Sequence, residues 1–261
     1  MKSSRHFVTL RGESFMISII AAFQFLTIFP TLIKRMFTSQ EMGRAVGWFP
    51  LVGVVLGFAL FGVNYAARLI FPQTVAAALT LFAWIAFTRF FHLDGFMDTL
   101  DGLFGGWTPE RRLEIMKDSR MGAFGTIGGI LVLLTKYAAL SEIHTSSMFS
   151  AILLATTLGR WASPLVIYAF PYAREDGLGI EMKRNVTFRE IIIATLTAGL
   201  TAWFAYGWLG FAFMLGAALI GFLAARYAMR LLPGLTGDIY GTVTTLVEML
   251  TLTAFTAIHP S

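Results

Sequence analysis

Long apolar runs alternate with polar segments along almost the whole chain. A helix rises about 1.5 Å per residue, so a run of about 20 apolar residues can cross the roughly 30 Å hydrocarbon core of a bilayer. Runs close to this length lie near 15–33, 47–71, 74–90, 124–145, 149–171, 190–208, 209–232 and 241–258. We therefore predict an all-α fold, a polytopic transmembrane helical bundle with seven to eight spans.

The segments between the runs predict the orientation of the bundle. Four of them are polar: 34–46, 91–123, 173–189 and 233–240. Three other connections are short turns, near Pro72–Gln73, Ser146–Ser147 and Gly207–Gly210. If the spans alternate, the four polar segments share one side of the membrane and the three turns share the other. Most Lys and Arg residues lie in the polar segments, so the positive-inside bias makes that side the cytoplasm.

The first apolar run allows two interpretations. It has no convincing small-residue cleavage site, so we interpret it as a retained segment and not as a signal peptide. With eight full spans, the basic tail of Lys2, Arg5 and Arg11 would lie outside, against the positive-inside bias. Alternatively the run is re-entrant or interfacial, which leaves seven spans and a cytoplasmic N-terminus.

Composition narrows the class of protein further. Hydrophobic residues make up 56% of the chain and charged residues only 13%, which excludes an ordinary soluble domain. The net charge of +5 is typical of loops that face anionic lipid, and no nucleic-acid motif occurs, so we expect a lipid bilayer and no nucleic acid as partner. Cysteine is absent, which excludes thiolate metal sites. No linker divides residues 1–261, which we predict to form one integral membrane catalytic domain; homo-oligomers are left open.

An acidic cluster in segment 91–123 is the strongest chemical signal. On a helix, Asp94, Asp98 and Asp101 lie within about 60° of one another, so their carboxylates share one face and repel each other. A bound cation relieves that repulsion, and carboxylate oxygens with waters and substrate phosphates are the ligands that suit Mg²⁺. We predict that these three residues bind Mg²⁺ on a phosphate or diphosphate ester. His92 either joins this site or is a hydrogen-bonded interfacial residue.

The polar stretch that follows the acidic cluster suits phosphate binding. Lys117 and Arg120 can neutralise phosphate charge, and Gly122 allows a close approach of the backbone. Asp118 either completes the metal shell or holds Arg120 in place, and the sequence does not separate the two roles. The charges of 110–114 alternate in sign at helical spacing, which is typical of an ordinary surface helix.

Later charged residues complete the set of candidates. Lys136 and Arg160 lie in the middle of predicted spans, where an ionisable side chain is usually functional or paired. Asp238 is framed by glycines at the start of the last span, with Glu248 further in. Because the segment that contains Asp238 is on the polar side, this carboxylate can approach the acidic cluster; a helix-cap role is the alternative.

Two long motifs together resemble one enzyme family. They are the acidic motif of 92–106, His-Leu-Asp-Gly-x-x-Asp-Thr-x-Asp-Gly-Leu-x-Gly-Gly, and the motif of 112–125 that contains Lys-Asp-Ser-Arg-x-Gly. Both resemble the adenosylcobinamide-GDP ribazoletransferase family, also called cobalamin synthases. Shorter supporting matches occur at 25–30, 48–57, 171–179 and 236–238.

This resemblance implies a multi-pass enzyme of the bacterial cytoplasmic (inner) membrane with its active site facing the cytoplasm. It implies that adenosylcobinamide-GDP and α-ribazole, or α-ribazole 5′-phosphate, are joined with Mg²⁺ and that GMP is released. The catalytic residues it suggests are Asp94, Asp98, Asp101, Asp118, Arg120 and Asp238. The residues that we predict to bind the substrates are Lys117, Gly122, Arg160 and Arg174. The family commonly has an acidic residue near this position, whereas this chain has Thr245. We therefore predict no metal ligand at position 245.

Three other functions match the residues less well. The run Asp-Thr-Leu-Asp-Gly at 98–102 matches the start of the CDP-alcohol phosphotransferase motif but lacks the Ala-Arg that should follow. A polyprenyltransferase-like enzyme would need paired helical Asp motifs, which the chain lacks. A cation transporter would carry its acidic residues near the middle of the membrane, whereas these cluster at a predicted boundary.

Overall fold

The fold is known from a computed structural model, which describes the backbone of residues 3–258 and the side chains of 15–258. Its helices are α1 (Ser3–Leu26), α2 (Ser39–Ala45), α3 (Phe49–Arg68), α4 (Gln73–Phe87), α5 (Phe91–Gly105), α6 (Pro109–Ile115), α7 (Ala123–Glu142), α8 (Thr145–Ala169), α9 (Leu178–Asn185), α10 (Phe188–Ala228) and α11 (Gly237–Ile258). Residues 3–258 contain no strand beyond one isolated bridge between Tyr172 and Leu235, so the predicted all-α class is confirmed.

Five helical stretches are long and apolar enough to cross a membrane, and the bent pair α4–α5 makes a sixth. The longest, α10, has 41 residues, which would extend for about 60 Å if straight, twice the thickness of the bilayer core. It is interrupted at Tyr206 and Gly207, where the backbone leaves helical geometry. Trp203 and Phe211, on either side of the break, pack with their ring centroids 6.3 Å apart, so the two halves fold back on each other. Counting these halves separately gives seven spans, the lower of the two predicted numbers.

Side-chain contacts confirm the predicted grouping of the connections. On one side, Gln73 donates hydrogen bonds to the carbonyls of Ser141 and Ile143, at 2.7 and 3.0 Å. On the other side, Lys117 lies 3.7 Å from Asp176, which joins two of the polar segments. The long polar segments and the short turns therefore lie at opposite ends of the bundle, as alternating spans require. That the polar end faces the cytoplasm stays a prediction.

The first apolar run does not behave as a full span. Phe15 packs edge-on against Trp48 at 4.8 Å, and Phe25 stacks on Phe49 at 6.1 Å. The apolar part of α1, Phe15–Leu26, thus contacts the same turn at the polar end of the bundle with both of its ends. This favours the interfacial alternative. The helix was predicted to reach residue 33 and ends at Leu26. The basic side chains of the N-terminal tail lie outside the described residues.

The early end of α1 has a local cause. The side chain of Gln24 exchanges two hydrogen bonds with the backbone of Ile33, at 2.8 and 3.1 Å. The Thr27 hydroxyl accepts a hydrogen bond from the Phe29 amide at 3.2 Å. These side chains satisfy backbone groups in a loop conformation, which competes with continuation of the helix.

Helix α8 forms the centre of the bundle and is buried along most of its length. A Cβ atom at Gly53 would lie 2.5 Å from the Thr156 carbonyl oxygen, so only glycine lets α3 approach α8 this closely. At the polar end α11 packs against α8, and α5 packs against α11. Because α4 and α5 meet at an angle of 84°, we assign α4 as the crossing limb and α5 to the membrane boundary.

Candidate active site

A cavity of about 350 Å³ opens at the polar end between α5, α8, α11 and the loop before α9. Its outer part is lined by charged side chains that include Asp94, Lys117, Arg174, Asp176 and Asp238. Its walls are apolar, and Arg160 lies at its inner end. The cavity therefore brings together predicted residues from four separate segments of the chain.

The acidic side of the cavity is formed where α5 crosses the start of α11. A Cβ atom at Gly95 would lie 3.0 Å from the Cα of Asp238, so this glycine lets the two helices pack with their backbones close together. Asp98 is half-buried, and the charges of Asp94, Asp238 and Asp101 all act on its carboxylate. The predicted approach of Asp238 to the acidic cluster is confirmed, and the repulsion within this group favours a cation.

Asp101 has a different environment from the other two aspartates of its helix. It is 7% exposed, and its carboxylate accepts hydrogen bonds from the backbone amides of Gly122 and Gly125, each at 2.8 Å. These amides belong to the start of α7, which has no cap from its own preceding residue. Asp101 therefore fixes α7 to α5. The close approach predicted at Gly122 occurs, but the group that approaches is Asp101 and not a ligand.

The three predicted metal ligands consequently do not converge. Among the described residues, no group of three or more His, Asp or Glu side chains lies close enough to hold one ion. The helical spacing of Asp94, Asp98 and Asp101 placed them on one stripe, yet the third carboxylate is occupied by α7.

Arg174 reaches the acidic side through a backbone clamp between two loops. The Ala173 amide donates to the Leu235 carbonyl, and the Leu235 amide donates to the Pro171 carbonyl, both at 2.8 Å. This pairing holds Arg174 beside Asp238, and their side chains form an ion pair of 2.8 Å. Asp238 also accepts a hydrogen bond from the Thr236 hydroxyl at 3.1 Å. A carboxylate held in this way keeps its orientation when a ligand arrives.

Asp118 and Arg120 pair with each other on the surface. The Arg120 guanidinium donates to both carboxylate oxygens of Asp118, and these hydrogen bonds lower the pKa of Asp118 to about 2. Arg120 is 87% exposed, and neither residue lines the cavity. Two roles were left open for Asp118, and the structure supports the one in which Asp118 holds Arg120 in place. Lys117, the preceding residue, does line the cavity.

A buried charge network includes Arg160 of the cavity wall. The Glu248 carboxylate accepts hydrogen bonds from Lys136 at 2.6 Å, from Arg160 at 2.5 Å and from the Trp84 indole at 3.1 Å. Lys136 also lies 4.1 Å above the centre of the Trp84 ring. Of the two roles expected for the mid-span cations, functional or paired, the structure shows pairing, with Glu248 as the shared partner.

The family to which the chain belongs follows from its similarity to known proteins. The sequence profile of the family described as cobalamin-5-phosphate synthase matches residues 18–256. The chain belongs to this family. Relatives named adenosylcobinamide-GDP ribazoletransferase include one from Desulfitobacterium hafniense, 38% identical over 92% of this chain and 96% of the relative. Others are from Desulforamulus reducens, 38% identical over 88% and 92%, and from Pseudomonas paraeruginosa, 37% identical over 91% and 96%. No solved structure matches the chain.

As a member of the cobalamin-5-phosphate synthase family, the chain is an enzyme of the transferase class. The CDP-alcohol phosphotransferase, polyprenyltransferase and transporter alternatives receive no support from these similarities. Five polar residues that line the cavity were not predicted from the sequence: Ser163, Tyr172, Asp176, Tyr240 and Thr244. The four other than Asp176 are uncharged and belong to no charge pattern in the sequence, and only the fold brings all five to the cavity.

Proposed function

We propose that this enzyme joins adenosylcobinamide-GDP to α-ribazole or α-ribazole 5′-phosphate. The 3′-hydroxyl oxygen of the ribazole forms a bond to the phosphorus that carries the cobinamide. The bond from that phosphorus to the oxygen bridging to the guanosine phosphate breaks, and GMP leaves with the electron pair. The proposal is carried by one observation: a chain of this family has a cavity with clustered carboxylates at its opening. Lys117 and Arg174 line the same cavity beside these carboxylates.

The carboxylates at the cavity opening suit a magnesium ion. Mg²⁺ is commonly bound by one or two carboxylates, with waters and substrate phosphate oxygens completing its shell. Asp94 and Asp238 line the opening, and Asp98 lies behind them within reach of their charges. Asp94 and Asp98 would hold the ion, with Asp238 nearby, and this donor set contains only oxygen. A bound Mg²⁺ would neutralise charge on the diphosphate and lower the barrier to its cleavage.

The cationic residues of the cavity suit the leaving group. Lys117 and Arg174 line its outer part, where they can stabilise the negative charge that develops on GMP. Asp118 is a poor general base, because a carboxylate with a pKa of about 2 binds protons weakly at neutral pH. The other carboxylates near the opening, Asp94, Asp98 and Asp238, would then take the proton of the attacking hydroxyl.

The location of the enzyme is part of the same proposal. The cavity opens at the end of the bundle that contains most of the basic loop residues, so positive-inside bias orients it toward the cytoplasm. We assign the enzyme to the bacterial cytoplasmic membrane, where a cytoplasmic opening would admit nucleotide substrates.

Reconstitution with pure components tests the proposal. The protein in detergent is incubated with adenosylcobinamide-GDP, α-ribazole and Mg²⁺, and the joined corrinoid and GMP are separated by chromatography. Equal amounts of corrinoid product and GMP are expected, and a chelator should abolish both. A folded protein that forms neither product would overturn the proposed reaction, while activity that persists with chelator would overturn the proposed metal.

A further inference from the structure

Unpartnered polar groups are concentrated in the cavity. Among the described residues, few buried side-chain nitrogen and oxygen atoms lack a hydrogen-bond partner. Those that belong to cavity-lining residues are His92 Nδ1, Arg160 Nε and Nη2, Arg174 Nε and the Tyr240 hydroxyl. Buried polar groups are almost always paired, so several unpaired ones on residues that line one cavity indicate where a ligand would supply the partners.

Arg160 is the most informative of these groups. Its side chain is 1% exposed, and only its Nη1 atom is used, donating to Glu248 and to the Thr156 carbonyl. The remaining donors, Nε and Nη2, have no acceptor among the side chains of 15–258 or the backbone of 3–258. Two neighbouring donors on one guanidinium match two oxygens of a phosphate, the geometry for which Arg is preferred.

The charge balance at the inner end also favours an anion. Lys136 and Arg160 share the single carboxylate of Glu248, so the ionised network carries one excess positive charge. Arg160 lies 9 residues before Ala169, the end of α8, which puts it about 13 Å further into the bundle along the helix axis. The cavity is thus acidic at its opening and basic at its inner end.

The size of the cavity limits what it admits. A volume of about 350 Å³ is at the lower end of the roughly 300–1,000 Å³ of typical small-molecule sites. Its walls include Phe25, Phe49 and Ile167, which suit a flat aromatic base. A single nucleotide with a fused aromatic base fits these features, whereas the corrin macrocycle is much too large to enter.

We propose that the inner end of the cavity binds the 5′-phosphate of α-ribazole 5′-phosphate through Arg160, with His92 as a further hydrogen-bonding group. This inference rests on the proposed function and deepens it, because it makes Arg160 a specificity-determining residue for the phosphorylated acceptor. The aromatic base packs against the apolar walls, and the acidic opening is left for the diphosphate of the other substrate.

A comparison of the two acceptors tests the inference. Wild-type enzyme should have a kcat/KM at least tenfold higher for α-ribazole 5′-phosphate than for α-ribazole. Arg160→Lys keeps a cation for Glu248 but loses the paired donors, so it should remove most of this preference. His92→Phe removes the unpartnered ring nitrogen and should raise KM severalfold for the phosphorylated acceptor, with little change for α-ribazole.

A matched control is available on the same helix as Arg160. Thr157 has an equally buried, unpartnered hydroxyl but does not line the cavity, so Thr157→Val should leave both kinetic constants unchanged. If Arg160→Lys does not fold, His92→Phe decides the matter. Equal kcat/KM for both acceptors in the wild type would overturn the inference, and so would an unchanged preference in the folded variants.

Ligand binding without turnover separates this inference from the proposed function. The melting temperature of the purified protein should rise more with α-ribazole 5′-phosphate than with α-ribazole, and the difference should shrink in Arg160→Lys. If inorganic phosphate stabilises the protein but the two acceptors do so equally, the site binds a free ion and the inference is wrong. A preference in binding with no GMP release would instead overturn the proposed reaction and keep the phosphate site.

Discussion

Replacement of Glu248 by Gln tests the buried network most sharply. Glu248 is 4% exposed and is the common partner of Lys136 and Arg160, which are 5% and 1% exposed. The amide of Gln is uncharged, and its NH₂ group cannot accept a hydrogen bond from a cation. The variant therefore leaves two buried cations without an anion, whereas the wild type has a single excess positive charge.

The expected cost is large compared with typical protein stability. Removing one partner of a buried ion pair costs about 3–5 kcal/mol, out of about 5–15 kcal/mol for a typical folded domain. Lys136→Met should cost less than Glu248→Gln, because the remaining Arg160–Glu248 pair is electrically neutral. The larger loss of stability in Glu248→Gln than in Lys136→Met thus follows from the number of unpaired buried charges and not from the size of the side chain that is replaced.

The free energy of unfolding of both variants is measured in mixed micelles with increasing SDS. Glu114→Gln is the control, since Glu114 is 69% exposed and its pairing with Arg111 should contribute less than about 1 kcal/mol. A loss below about 1 kcal/mol for Glu248→Gln, or a larger loss for Lys136→Met, would show that the network is not balanced as its geometry indicates.

Three further predictions concern the cavity opening and the helix start next to it. Asp98→Asn and Asp94→Asn should each lower the rate of GMP release by about 10²-fold or more if these residues hold the ion, while Asp118→Asn should change it by less than about tenfold. Asp101→Asn loses the paired acceptance of two α7 amides and should lower stability by about 1–2 kcal/mol in SDS unfolding; an unchanged midpoint would contradict its capping role. Arg174→Met should raise KM for adenosylcobinamide-GDP, and an unchanged KM would exclude it from the leaving-group site.

The spans and their grouping were predictable because they depend on local pattern. An apolar run needs only its own residues to form a helix in lipid, and short turns require consecutive helices to be neighbours. Run lengths alone therefore place the turn at Gln73 and the turn after Ile143 at the same end of the bundle, where the structure brings them into contact. The approach of Asp238 to the acidic helix was predictable for the same reason, since alternation puts both at the polar end.

The exact partners at the site were not predictable, because they depend on the register between helices. Periodicity places Asp101 on the same stripe as Asp94, but it does not say that the start of α7 will supply two amides to it. The mid-span positions of Lys136 and Arg160 indicate that each needs a partner. Only the relative depth of α7, α8 and α11 makes Glu248 the partner of both.

The fate of the phosphorus atoms tests the central claim most directly. Adenosylcobinamide-GDP labelled with ³²P at the phosphorus next to cobinamide is incubated with purified enzyme, Mg²⁺ and α-ribazole 5′-phosphate. All transferred label should appear in the joined corrinoid, with unlabelled GMP released in equal amount, and Asp98→Asn should slow both together. Label released in GDP, or corrinoid product formed at the normal rate by Asp98→Asn, would contradict phosphoryl transfer at this acidic opening.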